Sequence, residues 1–129
     1  MKYILIDDDP IINLVHKRTI QKVEDTAAID IFISGIKALE YFKASESIPQ
    51  IVFLDINMPE MNGFEFLDEL LKDKTIKKEG LSIYILTSSL NNKDRETAKR
   101  YPILKGYLSK PLNVEAMLNL KGQFSDPKA

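Results

Sequence analysis

The sequence predicts an α/β fold in which a five-stranded parallel sheet is covered by helices on both faces. Short apolar runs alternate five times with amphipathic segments along the 129 residues, and this alternation is typical of parallel sheets. Most of the runs are apolar throughout rather than at every second position, which indicates strands buried on both faces. We therefore expect a doubly wound, three-layer domain with right-handed crossovers.

The first strand and the first helix are separated by an acidic turn. Tyr3–Ile6 is an apolar run that leads into three consecutive aspartates, and Pro10 follows them. Proline fits the first turn of a helix, and Asp9 is a suitable side chain to cap it. Four residues at helical spacing predict the buried face of this helix: Ile12, Val15, Thr19 and Val23.

The next two strands differ in character. The segment "AAIDIFIS" alternates, with Ile29, Ile31 and Ile33 on one face, and this pattern suits an edge strand. A second helix follows, and its inward positions are Gly35, Ala38, Leu39 and Phe42. Ile51–Leu54 is apolar throughout and ends at Asp55, which predicts a strand buried on both faces.

The second half of the chain continues the alternation. Pro59 and the Asn62–Gly63 pair in "NMPEMNG" indicate a loop, and the helix after it should bury Phe64, Leu67 and Leu71. "LSIYILTSS" predicts a fourth strand, residues 91–101 predict a polar helix, and "GYLSKP" predicts a short fifth strand. The last helix should bury Val114, Met117 and Leu118.

Composition and charge narrow the functional classes. The 18 Lys and Arg side chains nearly balance the 19 Asp and Glu side chains, so no global field favours nucleic acid or an anionic membrane. A chain without cysteine has no disulfide, thiolate metal site or cysteine nucleophile. The start "MKYILIDDD" is too quickly acidic for a signal peptide, and no apolar run reaches membrane-spanning length. We expect one cytoplasmic domain over residues 1–129, with a core over 2–124 and a tail over 125–129.

The predicted topology gathers polar side chains from four distant segments. Asp7 and Asp8 follow strand one, Asp55 follows strand three, Thr87 follows strand four, and Lys110 follows strand five. Parallel strands end at the same edge of a sheet, and ligands bind there where the strand order reverses. Three carboxylates, a hydroxyl and an ammonium are therefore expected at one rim.

The residues alone leave two interpretations of the acidic turn open. As a charged turn, Asp7–Asp9 would be solvated and would cap the helix. As half of a metal site, it would share a cation with Asp55, which would offset a repulsion of roughly 3–4 kcal/mol per carboxylate pair. Mg²⁺ binds one or two carboxylates together with water and phosphate oxygens. Lys110 is a charge suited to phosphoryl oxygens, and an aspartate can itself be the nucleophile in phosphoryl transfer.

Four segments, in order and at family-like spacing, resemble the response-regulator receiver domain, the CheY-like module of two-component signalling. They are "LIDDDP", "VFLDINMPEMNGFEFL", "YILTSS" and "GYLSKPL". The resemblance covers essentially the whole chain and implies a flavodoxin-like sheet in the order 2-1-3-4-5 with five helices. The chain departs from the family's usual pattern at "RYPILKG", beside the expected output face.

The resemblance implies a metal site and a phosphoacceptor. Asp55 is the expected phosphoacceptor, to which a histidine kinase or phosphotransfer protein transfers the phosphoryl group. Asp7, Asp8, Asp55 and the backbone carbonyl of Asn57 are the expected ligands of Mg²⁺, with Mn²⁺ as an alternative.

The resemblance also implies a switch. Lys110 would pair with the phosphoryl group, Thr87 would move toward it, and Tyr107 would turn inward in response. The bond between Lys110 and Pro111 is similar to one that is cis in the family. The implied function is a phosphorylation-dependent signalling switch, not an enzyme, which changes its surface to control an unknown output protein. We expect a monomer without an output domain and without direct contact with nucleic acid or membrane.

Three other classes are less consistent with the residues. A Mg²⁺-dependent aspartyl phosphohydrolase would have a second aspartate two residues after the nucleophile, where Asn57 stands. A flavodoxin-like electron carrier would bind a flavin phosphate after strand one, where Asp7–Asp9 would repel it. A degenerate receiver that only binds proteins would not need an intact rim.

Two further expectations concern the helices. His16, the only histidine, stands beside Lys17 and Arg18 on the first helix, which indicates a surface residue rather than a phosphorelay histidine. The fourth helix, "NNKDRETAKR", has few apolar anchors and is expected to be the loosest element of the fold.

Overall fold

The computed structural model describes residues 1–46, 48–88 and 91–125, and strands and helices alternate along these ranges. The strands are β1 (Lys2–Ile6), β2 (Ala28–Phe32), β3 (Gln50–Leu54), β4 (Leu81–Thr87) and β5 (Leu104–Ser109). The helices are α1 (Pro10–Val23), α2 (Gly35–Ala44), α3 (Gly63–Lys72), α4 (Asn92–Ala98) and α5 (Val114–Ser125). The predicted succession of βα units is confirmed, and residues 126–129 of the predicted tail lie outside the described residues.

The sheet has the order β2-β1-β3-β4-β5, and its neighbouring strands are parallel. This confirms the predicted doubly wound fold and the edge position of β2. Ile6 at the end of β1 pairs with Leu54 at the end of β3, and Leu54 pairs with Ile85 in β4. Because these strands end at similar levels, Asp7 and Asp55 leave the sheet at the same edge, where the strand order reverses.

The central strands send alternate side chains into two apolar layers, one on each face of the sheet. Ile4 and Val52 belong to the layer that α2 and α3 cover. Tyr3 and Phe53 belong to the layer that α1 and α5 cover. All five residues of β3 are buried, as its uninterrupted apolar run predicts, so the site at the end of β3 follows a strand that is covered on both faces.

The predicted buried face of α1 is wrong by one position. The prediction places Ile12, Val15, Thr19 and Val23 inside, but the buried residues of the helix are Asn13, His16 and Ile20. Of the predicted residues, Val23 packs against the core as a partly buried side chain. Both sets follow the same helical spacing, so the periodicity is correct and only the rotation of the helix differs. The rotation is set by what the helix contacts, and this includes polar groups at the end of β1.

Two other helices show smaller corrections. In α3 the buried apolar residues are Phe66, Leu67 and Leu70, whereas Leu71 is exposed and Phe64 is half-buried. In α5 Met117 is buried as predicted, but Val114 and Leu118 are exposed and Leu120 is buried in their place. Both helices offer more apolar residues than one buried face accommodates, and packing against the sheet selects among them.

The connection from α4 to β5 also differs from the prediction. Helix α4 ends at Ala98, three residues early, and β5 begins at Leu104, two residues before the predicted "GYLSKP". Tyr101 in the intervening loop stacks on Phe64 of α3 with ring centroids 5.6 Å apart. Its hydroxyl donates to Asp68 of α3 at 2.8 Å. This loop is therefore fastened to the neighbouring helix.

None of the helices in the described part of the chain is both long and apolar enough to cross a membrane.

Candidate functional site

The turn after β1 holds Asp7 against the end of the sheet. Oδ1 of Asp7 accepts from the N–H of Asp9 at 2.9 Å. The side chain of Asp9 accepts in turn from the N–H groups of Ile11 and Ile12, which confirms it as the cap of α1. These bonds leave Asp7 buried and Asp8 exposed.

Asp55 leaves the end of β3 with its side chain buried. Its N–H donates to the carbonyl of Ile6 at 2.9 Å, and the backbone of Asn57 donates to its carboxylate. Gly63, the first residue of α3, packs directly against this turn and donates its N–H to the carbonyl of Ile56 at 2.8 Å. A Cβ at Gly63 would lie 2.6 Å from the carbonyl oxygen of Asp55. The turn therefore requires glycine at this position.

Lys110 connects the two buried carboxylates. Its N–H donates to the carbonyl of Thr87 at 3.0 Å, which ties the end of β5 to the end of β4. Its bond to Pro111 is cis, as the resemblance implied. The ammonium nitrogen Nζ lies 2.5 Å from Oδ2 of Asp7 and 3.3 Å from Oδ1 of Asp55. One cation is thus shared by two acidic side chains from different strands.

Asp7, Asp8 and Asp55 form one cluster, called the acidic pocket below, in which one oxygen of each carboxylate lies within 4.8 Å of the others. The pKa of Asp55 is raised above its ordinary value, mainly by burial and secondly by the charge of Asp7, although Lys110 opposes the shift. Burial acts to lower the pKa of Lys110, but its hydrogen bond to Asp7 and the charges of both carboxylates outweigh burial and raise it. With three carboxylates and one ammonium, the acidic pocket carries more negative than positive charge.

The donor set of the acidic pocket suits a hard divalent cation. It offers carboxylate oxygens from three side chains, close enough together for one ion to contact them. A divalent cation would offset the repulsion that raises the pKa of Asp55. Oxygen donors favour Mg²⁺ or Mn²⁺ over softer metals, so the residues present fit the metal that the sequence predicts.

Thr87 and Tyr107 lie on the neighbouring strands β4 and β5 and differ in burial. Thr87 is the last residue of β4, is fully buried, and meets the backbone of Lys110 at the rim. Tyr107 in β5 pairs with Ile85, is half-buried, and packs against the apolar cluster that contains Ala98 of α4. It also lines a groove of about 380 Å³ between α4 and β5. The structure thus places Thr87 next to Lys110 at the rim and Tyr107 beside α4, where it lines the groove.

The expectation that His16 lies on the surface is wrong. His16 is 1% exposed, and burial together with the charge of Lys110 lowers its pKa, with Asp7 opposing. Its Nε2 and the Oδ1 of Asn13 are buried without a hydrogen-bond partner in the described structure, an arrangement that costs about 1–3 kcal/mol per group. The burial of His16 could have been predicted from its spacing, because Asn13, His16 and Ile20 recur at helical intervals and therefore lie on one face of α1.

The structure thus brings three carboxylates and a lysine to the edge of a parallel sheet where the strand order reverses, an edge at which such sheets bind ligands. The comparison with known families agrees: the family described as "Response regulator receiver domain" matches residues 3–120, and the chain belongs to that family. Receiver domains are phosphorylation-dependent switches that bind Mg²⁺ at an acidic pocket. Histidine kinases or phosphotransfer proteins phosphorylate them, and they act on output partners.

Individual relatives show the same likeness. A two-component response regulator from Cytophaga hutchinsonii is 31% identical, with a TM-score of 0.82 and 97% of each chain covered. The response regulator TrrA from Thermotoga maritima, solved in complex with Mg²⁺ and BeF, is 24% identical with a TM-score of 0.73, covering 95% of this chain and 96% of that one. The nitrate/nitrite response regulator NarL of Escherichia coli is 29% identical over 116 residues, which are 89% of this chain and 50% of NarL. The chain thus spans half the length of that regulator.

Proposed function

We propose that this chain is a phosphorylation switch in which Asp55 accepts the phosphoryl group. The observation that carries the proposal is the contact of Lys110 with the carboxylates of both Asp7 and Asp55. Asp8 completes the acidic pocket from the solvent side. Asp55 is the chosen acceptor because it follows a strand that is buried throughout and lies beside both a second carboxylate and the ammonium of Lys110. Residues 2–124 would form the core of this single domain.

The proposed metal site consists of Asp7, Asp8, Asp55 and the backbone carbonyl of Asn57, and would hold Mg²⁺ or Mn²⁺. The ion would stabilise negative charge on the phosphoryl oxygens when it is bound there. The chain holds Asp7 and Asp55 in place through backbone hydrogen bonds, whereas Asp8 is exposed and marks the side from which an ion enters. The Mg²⁺ and BeF bound to the Thermotoga maritima relative support the same class of ligand.

Phosphoryl transfer would need Asp55 as a carboxylate. One of its oxygens attacks the phosphorus of a phosphohistidine, and a new O–P bond forms as the N–P bond breaks. The histidine nitrogen keeps the electron pair of the broken bond and takes up a proton from water. Lys110 is placed to pair with the transferred group because its ammonium already lies 3.3 Å from Asp55.

The switch would run from the acidic pocket through Thr87 to Tyr107. Phosphorylation adds roughly two negative charges at Asp55. Thr87 is buried at the rim beside Lys110, so its hydroxyl is within reach of a group added there. Tyr107 packs against the apolar cluster that contains Ala98 and also lines the groove between α4 and β5. The population would then shift between two conformers that differ at the surface of α4, β5 and α5.

The phosphodonor would be a histidine kinase or a phosphotransfer protein that binds beside the acidic pocket. The first turns of α1 follow the acidic turn directly, and they expose apolar side chains toward solvent: Ile11, Leu14 and Val15. An exposed apolar strip next to a reactive group is typical of a protein-binding surface.

The output partner would bind the side of the molecule that carries the groove. Residues 92–107 contain five basic side chains and two acidic ones, Lys93, Arg95, Lys99, Arg100 and Lys105 against Asp94 and Glu96. This local excess of positive charge in a chain of net charge -1 favours an acidic protein surface as the partner. We further propose that the chain is a monomer and that it does not bind nucleic acid or membrane directly.

The test is the intact mass of the protein after incubation with Mg²⁺ and acetyl phosphate. We expect one alkali-labile phosphoryl group on the wild type and none on Asp55→Asn. Asp25→Asn, which changes an exposed aspartate far from the rim, is the matched control and should be labelled like the wild type. Labelling of Asp55→Asn at equal stoichiometry contradicts the proposal, as does a wild type that takes up neither phosphate nor beryllofluoride.

A further inference from the structure

In its first two turns, helix α1 buries two polar residues and exposes apolar ones, which inverts the usual amphipathic pattern there; further along the helix, Ile20 is buried. Asn13 and His16 are each 1% exposed, whereas Ile11, Leu14 and Val15 are 71%, 46% and 42% exposed. Local sequence rules tend to be broken at functional sites. The inversion indicates that Asn13 and His16 make contacts which apolar side chains cannot make.

Asn13 reaches from α1 back to the acidic pocket. Its Nδ2 donates to the backbone carbonyl of Asp7 at 2.8 Å in a buried hydrogen bond. Helical side chains lean toward the N-terminal end of their helix, which explains how Asn13 covers the turn that precedes α1. On the other side of the same turn, the N–H of Asp9 donates to Oδ1 of Asp7. Asp7 is therefore held both through its backbone and through its carboxylate.

His16 lies one helical turn after Asn13 on the same face. Both residues line a narrow space beneath the acidic pocket together with Asp7 and Asp55, and this space has no room for a water molecule. Nε2 of His16 has no hydrogen-bond partner in the described structure. Most buried polar groups in proteins are hydrogen-bonded. Because His16 lines the same space as Asp7 and Asp55, we infer that its unpaired nitrogen finds a partner in another state of the site.

We propose that Asn13 and His16 are positioning residues for the Asp7 side of the acidic pocket. Asn13 holds the Asp7 backbone in every state. His16 donates from Nε2 to the carboxylate of Asp7 when Lys110 is drawn to the phosphoryl group on Asp55, a step that rests on the proposed function.

The exchange of partners follows from the charges. In the structure Lys110 occupies Oδ2 of Asp7. When Lys110 moves to the phosphoryl group, Asp7 loses that hydrogen bond, and a neutral donor on α1 would replace it while the ion binds the side of the carboxylate that faces the acidic pocket. Burial and the charge of Lys110 lower the pKa of His16. A neutral imidazole still carries one N–H, so the ring can donate a hydrogen bond without giving up a proton. The charges of both Lys110 and Asp7 act on His16, which places the ring within electrostatic reach of the pair.

The nitrogen-15 spectrum of the imidazole tests the role of His16 without mutation. His16 is the only histidine, so the spectrum of the full chain reports one ring. It is compared for the free protein, with Mg²⁺ alone, and with Mg²⁺ and beryllofluoride. We expect a neutral ring protonated at Nε2, whose Nε2 signal shifts when beryllofluoride is added. A ring protonated only at Nδ1, or a signal that beryllofluoride leaves unchanged, overturns the role of His16.

Affinities for Mg²⁺ and for beryllofluoride, measured by calorimetry, test both residues. Asn13→Leu should weaken Mg²⁺ binding about tenfold, because residues that orient metal ligands have effects of this size. His16→Leu should leave Mg²⁺ binding within about twofold but weaken beryllofluoride binding about tenfold. His16→Gln should restore it, because the glutamine amide places an N–H near the position of Nε2.

Thermal denaturation separates positioning from helix packing. Ile20→Ala lies on the same buried stripe and should lower the Tm while leaving both affinities unchanged. His16→Leu should not lower the Tm, since an apolar side chain replaces an unbonded polar one. Equal losses of affinity in Ile20→Ala and Asn13→Leu would assign the effect to packing and overturn the inference.

The outcomes also distinguish this inference from the proposed function. A wild type that binds Mg²⁺ and beryllofluoride, with Asn13→Leu and His16→Leu binding both equally well, overturns the inference and leaves the proposed function standing. A wild type that binds neither overturns both.

Discussion

Lys110 contacts Asp7 more closely than it contacts the proposed phosphoacceptor: its ammonium lies 2.5 Å from Oδ2 of Asp7. The residue expected to meet the phosphoryl group is thus the counter-ion of a residue expected to bind the metal. Ion binding at Asp7 and release of Lys110 toward Asp55 would therefore be coupled, because the ion and Lys110 would compete for the same carboxylate.

This coupling predicts that Lys110→Met binds Mg²⁺ more tightly than the wild type. Without the ammonium, the ion has no competitor for Asp7, and we expect Kd to fall about tenfold, the equivalent of about 1.4 kcal/mol. Phosphorylation should slow, since the group in transfer loses its cation. Calorimetry measures the first effect, and Lys105→Met, an exposed lysine on β5, is the control. A weaker affinity in Lys110→Met would contradict the competition.

Asp8 is the exposed member of the acidic pocket, so its substitution separates metal binding from stability. Mg²⁺ at about 100 times its Kd should stabilise the wild type by about 2.7 kcal/mol and raise its Tm by several degrees. Asp8→Asn should lose most of this increase while keeping the Tm of the metal-free wild type. Differential scanning calorimetry with and without EDTA measures both values. A Tm that rises with Mg²⁺ equally in both proteins removes Asp8 from the site.

The raised pKa of Asp55 predicts how stability depends on pH. The folded protein holds this proton at pH values where the unfolded chain, with an ordinary Asp pKa near 3.8, has lost it. Folding therefore gains from Asp55 as pH falls through the raised pKa, and the penalty of the ionised carboxylate is fully present at neutral pH. In metal-free buffer Asp55→Asn should be more stable than the wild type at pH 7.

Urea denaturation from pH 7 down to about pH 4 checks this prediction. The difference between Asp55→Asn and the wild type should shrink with acidification, and saturating Mg²⁺ at pH 7 should reduce or reverse it. A difference that is independent of pH would mean that the charge of Asp55 is not its cause.

Gly63 should not tolerate a side chain. Its Cβ would meet the carbonyl oxygen of Asp55 at 2.6 Å and the Cα of Ile56 at 3.0 Å, so Gly63→Ala should cost about 1–3 kcal/mol and weaken Mg²⁺ binding by displacing Asp55. Gly122→Ala is the matched control. Nothing lies within 4 Å of a Cβ at Gly122, and alanine in a helix should stabilise by about 0.5–1 kcal/mol. A neutral Gly63→Ala in urea denaturation would contradict the packing.

Helix α4 should be the first element to open. Ala98 is its one buried residue among the described positions, whereas β3 is buried throughout. Native-state hydrogen exchange should show amides of α4 exchanging roughly 100-fold faster than those of Val52 and Leu54. Protection of α4 equal to that of β3 would contradict its role as a mobile switch element.

The fold could be predicted from the sequence where a segment is apolar throughout, because such a segment is buried on both faces whatever the direction of its side chains. Ile51–Leu54 is apolar throughout, so it forms the central strand whichever way its side chains point, and Asp55 necessarily ends at the rim. The residues of the acidic pocket could also be predicted, because strands in a parallel sheet end at the same edge and this places Asp7 and Lys110 there together. The contact between these two residues did not follow, since strand order does not determine which carboxylate a flexible lysine meets.

The rotation of α1 could not be predicted for a related reason. Two stripes one residue apart obey the same helical period, and they differ by about 100° in direction. The choice between them is made by the bond from Asn13 to the carbonyl of Asp7, a group outside the helix. A prediction based on apolar residues alone therefore chose the wrong face of α1, at the point where the helix contacts the proposed site.

The attachment of Tyr101 to α3 has a mechanical consequence for signalling. The ring of Tyr101 stacks on Phe64 and its hydroxyl is bound to Asp68, so Tyr101 restrains the chain that follows α4. A motion of α4 would therefore be largest near Asn92 and smallest near the loop that enters β5. A protein seated in the groove beside Tyr101 would respond to the tilt of α4 rather than to its distance from the sheet.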